Sequence, residues 1–107
     1  MTKIYISGAI SKDPKHWKER FEYAHKYLNS LGYTDEQIVD PKEMTTEEDI
    51  KTLTYKDFMN RDLIALSDCT SIYLLRTWKK SPGAKVELEY AKCLGLEIVK
   101  EKKKNAW

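Results

Sequence analysis

The sequence predicts an α/β protein, a three-layer α/β/α sandwich around a small parallel sheet of four to five strands. Strand-like and helix-like segments alternate along the 107 residues, the pattern of parallel strands joined by right-handed crossovers with helices on both faces. The run SIYLL at 71–75 shows no polar alternation, as in a strand covered on both sides. Two small-residue turns, SGA and SPGA, each follow a strand-like run and precede a helical one.

Each element has a local reason. KIYIS at 3–7 is a β-rich run stopped by Gly8 and reads as the first strand. Asp13 before Pro14 reads as a helix start, with a capping oxygen followed by a residue that has no N–H to satisfy. Trp17, Phe21, Ala24, Leu28 and Leu31 then recur at spacings of four and three, one apolar helical face, and Gly32 ends it. QIVDP at 37–41 reads as a short second strand closed by proline. A charged loop with Thr45, Thr46, Glu47 and Glu48 opens a second helical region running to about Ser67. After SIYLL comes the turn RTWKKSPG, a helix ending near Gly95, and EIV at 97–99 as the last strand. The domain is read as residues 1–100, with 101–107 a solvated, charged tail.

Composition bounds the function. A chain of 107 residues is one domain. Its net charge of +2 does not announce nucleic acid or a membrane surface as partner. No apolar run approaches the roughly 20 residues that span a bilayer, and the start lacks the layout of a signal peptide. Cys69 and Cys93 lack metal-like spacing and read as reduced thiols, so a cytoplasmic location is expected, with no metal or cofactor.

In open parallel sheets ligands bind beyond the carboxyl ends of the strands, where strand order reverses. That places SGAISKD and RTWKKSPG at one rim. Of the two glutamates in SPGAKVELEYA, Glu89 has Lys85, Lys92 and Cys93 as helical neighbours, a solvated setting. Glu87 has Gly83, Ala84, Tyr90 and Ala91, in register with the apolar stripe. The two point about 200° apart, and Glu87 is the candidate. In DFMNRDLIALSDC, Asp62 likewise interrupts an apolar stripe between Phe58, Met59 and Leu66, whereas Asp57 and Asp68 fit capping or exposed roles. A carboxylate on a core-facing stripe is costly unless paired or used. A loop-tying role for Asp62 and a dipole-stabilised helix-end role for Glu87 are the structural alternatives. Two carboxylates at one rim suit cleavage of an N-glycosidic bond: one captures or stabilises the cationic sugar, and the other protonates the base or orients water. SGA and SPGA would let backbone N–H groups approach a sugar or phosphate.

The segments YISGAI, RDLIALSDCTSIYLL and SPGAKVELEYAKCLGLEIV together resemble the nucleoside 2-deoxyribosyltransferase-like superfamily. They are most similar to its small phage- and bacterium-associated branch of domains of unknown function, DUF4406. The spacing LxxWxxSxGAxxE of that branch reads here as Leu75, Trp78, Ser81, Gly83, Ala84 and Glu87. The resemblance implies a flavodoxin- or Rossmann-like sheet, with Glu87 as nucleophile on the anomeric carbon, Asp62 assisting on sugar hydroxyls or base, and Tyr5 positioning the carboxylate. It also implies substrate contacts from Ser7, Gly8, Ala9 and Ile10, and from Ser81, Gly83 and Ala84. Ser81 matches the serine that contacts the 5'-phosphate in the related deoxynucleoside 5'-monophosphate N-glycosidases. Trp78, in the loop after the third strand, is read either as a ring that stacks a base at the mouth of the site or as a rim residue packed on the fold.

Two departures stand out. Ser11 and Lys12 occupy the place of an arginine in the phosphate loop of those hydrolases, with Arg76, Lys79 or Lys80 as possible substitutes. Glu89 replaces a small glycine common after the nucleophile's leucine.

Two classes of function follow: a nucleoside or nucleotide N-glycosidase or base transferase, and a non-catalytic module that senses or sequesters the same ligand. Glu87, Asp62 and Tyr5 favour the enzyme; the altered phosphate loop favours the binder. A homodimer is expected, joined through the helix of Asp62 or that of Glu87.

Overall fold

In the computed structural model, which describes residues 2–102, the first strand lies inside the sheet. β1 (Ile4–Ser7) pairs in parallel with β2 (Ile38–Val39) on one side and with β3 (Ser71–Leu74) on the other, and β4 (Glu97–Lys100) pairs in parallel with β3. The order is therefore β2-β1-β3-β4, four strands, all parallel. The chain leaves β1 in one direction to reach β2 and later returns past β1 to β3, so strand order reverses between β1 and β3.

Period two along the strands sorts side chains into two layers. Ile4 and Ile6 of β1, with Tyr73 and Leu75, pack under α1 (Trp17–Ser30) through Trp17, Phe21, Ala24 and Leu28. Tyr5, Ile72 and Leu74 point the other way, onto Leu66 of α4 (Tyr55–Ser67) and Leu88 and Ala91 of α5 (Pro82–Leu94). Every residue of β3 is buried, as the unalternating SIYLL run predicts. The result is the three-layer α/β/α arrangement expected from the sequence.

Three local expectations are corrected. Asp13 does not cap a helix. Its carbonyl closes a turn by accepting from the N–H groups of His16 and Trp17, and its carboxylate pairs with Arg20 at 2.7 Å, so α1 begins only at Trp17. Leu31 is not on the buried face: it follows α1 as the C-cap and is 58% exposed, and His25 takes a buried place on the helix instead. The second helical region is two helices, α3 (Glu47–Thr52) and α4, and a short α2 (Pro41–Met44) that the sequence reading did not expect precedes it. Each has its own start, because Asp40, Thr46 and Thr54 accept from the backbone N–H groups of Lys42, Asp49 and Asp57. Asp57 is thus a capping-box partner and Asp68 an exposed C-cap, as expected.

α5 starts and stops as its sequence indicates. Ser81 caps it by accepting from the Ala84 N–H at 3.0 Å, and Pro82 follows. Gly95 ends it in the left-handed conformation at φ 74°. Of the charged tail at 101–107, residues 103–107 lie outside the described residues.

Candidate active site

Glu87 sits where β1 meets α5. On α5 it shares the inward side with Ala84, Leu88 and Ala91 and is only 6% exposed. The two β1 side chains on that face, Tyr5 and Ser7, both donate to it. Tyr5 Oη lies 2.8 Å from Glu87 Oε2, and Ser7 Oγ lies 2.7 Å from Oε1. Each carboxylate oxygen therefore has one hydroxyl donor, which fixes the plane of the group. Burial pushes the Glu87 carboxyl up to about 7; the Ser7 and Tyr5 hydroxyls oppose the shift, and the nearby charge of Asp62 adds to it. The Tyr5 phenol is pushed well above its ordinary value, first by burial and then by the charges of Glu87 and Asp62. It serves as a donor, not as a base.

Asp62 is 8% exposed and faces the same space from α4. Its carboxyl is raised above the usual range by burial, with Arg61 pulling the other way through its charge and hydrogen bond. Arg61 Nε and Nη2 both reach Asp62 Oδ1, at 3.0 and 2.9 Å. The same guanidinium donates to the Met44 carbonyl and to Thr45 Oγ1, each at 3.0 Å. Arg61 thereby clasps the end of α2 to α4 and holds Asp62 in one orientation. Sequence reading missed Arg61, because its acceptors lie 16 and 17 residues away in the chain.

Between these groups is a cavity of about 340 Å³ at the carboxyl rim of the sheet. The loops after β1, β2 and β3 all contribute to it, as the topology requires. Tyr5, Asp62 and Glu87 line it together, with Gly8 and Ile10 from the loop after β1 and Ser81, Gly83 and Ala84 from the start of α5. Most of the remaining wall is apolar, including Trp17, Phe21, Ile50, Phe58 and Met59.

Three of the sequence-predicted residues stand apart from the cavity wall. Ser7 reaches the site only through Glu87. Ala9 is buried, and its N–H donates to Thr77 Oγ1 at 3.1 Å, tying the loop after β1 to the loop after β3. Trp78 lies in a short 3-10 turn and packs against the core cluster of Tyr5, Leu66 and Leu88, away from the cavity lining. A base stacked on Trp78 is thus not what this conformation offers. Aromatic rings that do line the cavity include Phe58, read from the sequence as a stripe neighbour of Asp62, and Tyr55, which was left unassigned. Ser81 both lines the cavity and caps α5.

Two glycines set the cavity's walls. A Cβ on Gly8 would lie 2.8 Å from Leu75 Cβ and Cδ1, so the loop after β1 passes β3 too closely for any side chain. A Cβ on Gly83 would meet Met59 Sδ at 3.2 Å and Tyr55 Oη at 3.3 Å, the tips of two side chains that line the cavity.

A separate cluster lies where α1 meets the end of β2. His25 bridges Asp40 at 2.8 Å through Nδ1 and Asp35 at 2.9 Å through Nε2, and Glu43 approaches Nδ1 to 3.9 Å. His25, Asp40 and Glu43 bring three ligand-type atoms within 4.8 Å. None of the three lines the cavity. The imidazole's pKa is raised: burial lowers it, but hydrogen bonds to Asp35 and Asp40 and the charges of Asp40 and Glu43 outweigh that. Both ring nitrogens thus have carboxylate partners without an ion.

Among the described residues no helix is long and apolar enough to cross a membrane. No curated protein and no solved structure matches the chain. One family model does, a domain of unknown function, DUF4406, over residues 2–100. The match spans nearly the whole chain, including both carboxylates and the sheet that carries Tyr5, and the chain belongs to the DUF4406 family.

Proposed function

We propose that this protein cleaves the N-glycosidic bond of a nucleoside or nucleoside 5'-monophosphate, with Glu87 as nucleophile. The observation that carries the reading is the buried Glu87 carboxylate, gripped at both oxygens by Tyr5 and Ser7 and exposed to a cavity shared with Asp62. A carboxylate kept only for stability would be poorly placed in so apolar a setting, since burying it is costly. The likeness of the YISGAI, RDLIALSDC and SPGAKVELEYA segments to nucleoside 2-deoxyribosyltransferases supports the same reading.

The chemistry follows from the geometry. With Glu87 ionised, one carboxylate oxygen attacks the anomeric carbon and forms a glycosyl ester, while the carbon–nitrogen bond breaks and its electron pair leaves with the base. The leaving base takes up a proton from Asp62, whose carboxyl burial raises above its usual range, or from water. Water, giving up a proton to the Asp62 carboxylate, then attacks the anomeric carbon for hydrolysis, or a second base gives up its N–H proton there and attacks for transfer; the carbon–oxygen bond to Glu87 breaks and Glu87 leaves as carboxylate. Tyr5 and Ser7 orient Glu87 and hold part of its charge. Arg61 keeps Asp62 aimed at the cavity. The apolar wall excludes water and offers the base a dry surface. A cytoplasmic setting, with the free thiols Cys69 and Cys93, accords with a soluble nucleoside as substrate.

The test is chromatographic detection of free base after incubation with nucleosides and their 5'-monophosphates, ribo and deoxy, alongside Glu87→Ala. Base released by the wild type and not by the variant is the expected result; added free bases separate transfer from hydrolysis. A ligand that raises the melting temperature but is never cleaved would replace the enzyme with a binding module.

A further inference from the structure

We infer that the substrate carries no 5'-phosphate and is an uncharged nucleoside, an inference that rests on the glycosidic reading above. It comes from the charges the cavity holds. Among the described residues, Arg61 is the only lysine or arginine in its lining, while Asp62 and Glu87 are both there as carboxyls.

Arg61 has one N–H at most left to offer an anion, and that one faces a carboxylate. Of its five N–H donors, Nε is taken by Asp62, and Nη2 is shared between Asp62 and Thr45 Oγ1. Nη1 bonds the Met44 carbonyl and faces Asp49 Oδ2 at 3.8 Å. A phosphate could recruit this guanidinium only by stripping it from Asp62 and from the end of α2, which would leave a buried carboxylate unpaired.

Several backbone donors near the cavity are committed as well. The start of α5 would ordinarily attract an anion. Here Pro82 has no N–H, the Ala84 N–H is taken by Ser81 Oγ, and the Lys85 N–H by the Ser81 carbonyl. Only Gly83 remains in that first turn. In the loop after β1, the Ala9 N–H is taken by Thr77 Oγ1. Lys12, Lys79 and Lys80 are exposed and lie outside the lining. A phosphate dianion in this cavity would meet two carboxyls and a mostly apolar wall, with no lysine or arginine among the described lining residues besides the committed Arg61 to offset them. A nucleoside hydroxyl in its place needs only one ordinary acceptor or donor.

The experiment compares each nucleoside with its own 5'-monophosphate. Rates of base release are measured with wild-type protein, and binding is measured by calorimetry with Glu87→Gln, which keeps the shape of the site but does not turn over. The expected result is a kcat/KM at least about tenfold higher for the nucleoside than for its monophosphate, with the same order but a smaller ratio in binding, since Glu87→Gln leaves only the Asp62 carboxyl to repel the phosphate. Monophosphates cleaved or bound as well as nucleosides, or better, would overturn this inference and leave the glycosidic reading intact. Failure of both ligand classes to bind or react would overturn the glycosidic reading and the inference with it.

Discussion

Replacing Glu87 by Gln should stabilise the protein at neutral and alkaline pH while abolishing base release. A carboxyl raised from 4.5 to about 7 corresponds to roughly 3 kcal/mol of difference between its two protonation states. The sign follows from proton counting. Between pH 4.5 and about 7 the folded protein keeps a proton on Glu87 that the unfolded chain has released. Stability therefore falls as pH rises through that window, and above it the full cost of holding a buried carboxylate is present. Glu87→Gln has no charge to bury, and its amide can still meet the hydroxyls of Tyr5 and Ser7, which both donate and accept. Urea denaturation of both proteins at about pH 5 and about pH 8 measures the effect. The wild type should lose up to roughly 3 kcal/mol relative to the variant between the two conditions. His25 also has a raised pKa, so its stabilisation is likewise lost with rising pH, but it is common to both proteins and cancels in the difference. A wild-type–variant difference that is the same at both pH values would refute the reasoning, because Glu87 would then titrate alike folded and unfolded.

Three further outcomes are expected. Tyr5→Phe removes the donor to Glu87 Oε2, so the rise of activity with pH, set by ionisation of Glu87, should move to higher pH in a pH–rate profile; an unmoved profile would mean that the phenol does not tune the carboxylate. Gly8→Ala brings a Cβ to 2.8 Å from Leu75 and should cost about 1–3 kcal/mol in urea denaturation, whereas Gly83→Ala, which meets only the tips of Met59 and Tyr55, should cost less stability and more ligand affinity. A homodimer through α4 or α5 is expected, with Ile64 and Val86, 69% and 47% exposed on those helices, among the covered residues. Light scattering should give a dimer mass for the wild type and a lower mass for Ile64→Glu.

The parts of the fold legible in the sequence are those governed by period. KIYIS is a strand as read, and the register of Glu87 with Ala84 and Ala91 on the apolar stripe holds, since all three are buried. What failed depended on competition between partners. Asp13 before Pro14 is a sound helix start, yet Arg20 claims its carboxylate and a turn intervenes before Trp17. The start at Thr46 lies where the charged loop was read to open the region, but the break at Thr54 was missed, although Thr54 and Asp57 form a readable threonine-to-aspartate capping box. Leu31 fits the periodic face and is still exposed, because a pattern does not say where a helix stops touching the sheet. Trp78 shows the limit for loops: it has no period to orient it, and a 3-10 turn directs it onto the core.

Arg61 was invisible to sequence reasoning for a different reason, and it decides how the site is built. Its neighbour Asp62 drew attention because a carboxylate on an apolar stripe is costly. The group that offsets that cost is the next residue back, but its anchors are the Met44 carbonyl and Thr45 Oγ1, brought near only when α2 packs beside α4. Glu87 is treated in the opposite way: it receives two hydroxyls and no cation, and its pKa climbs. One carboxylate is thus paired with a guanidinium and the other with neutral donors within a single cavity. A nucleophile must be ionised yet weakly solvated, so that little is lost when it leaves its partners for carbon; neutral hydroxyls meet that need better than an ion pair. The different partners of the two acids therefore favour Glu87, not Asp62, as the group that bonds to the substrate.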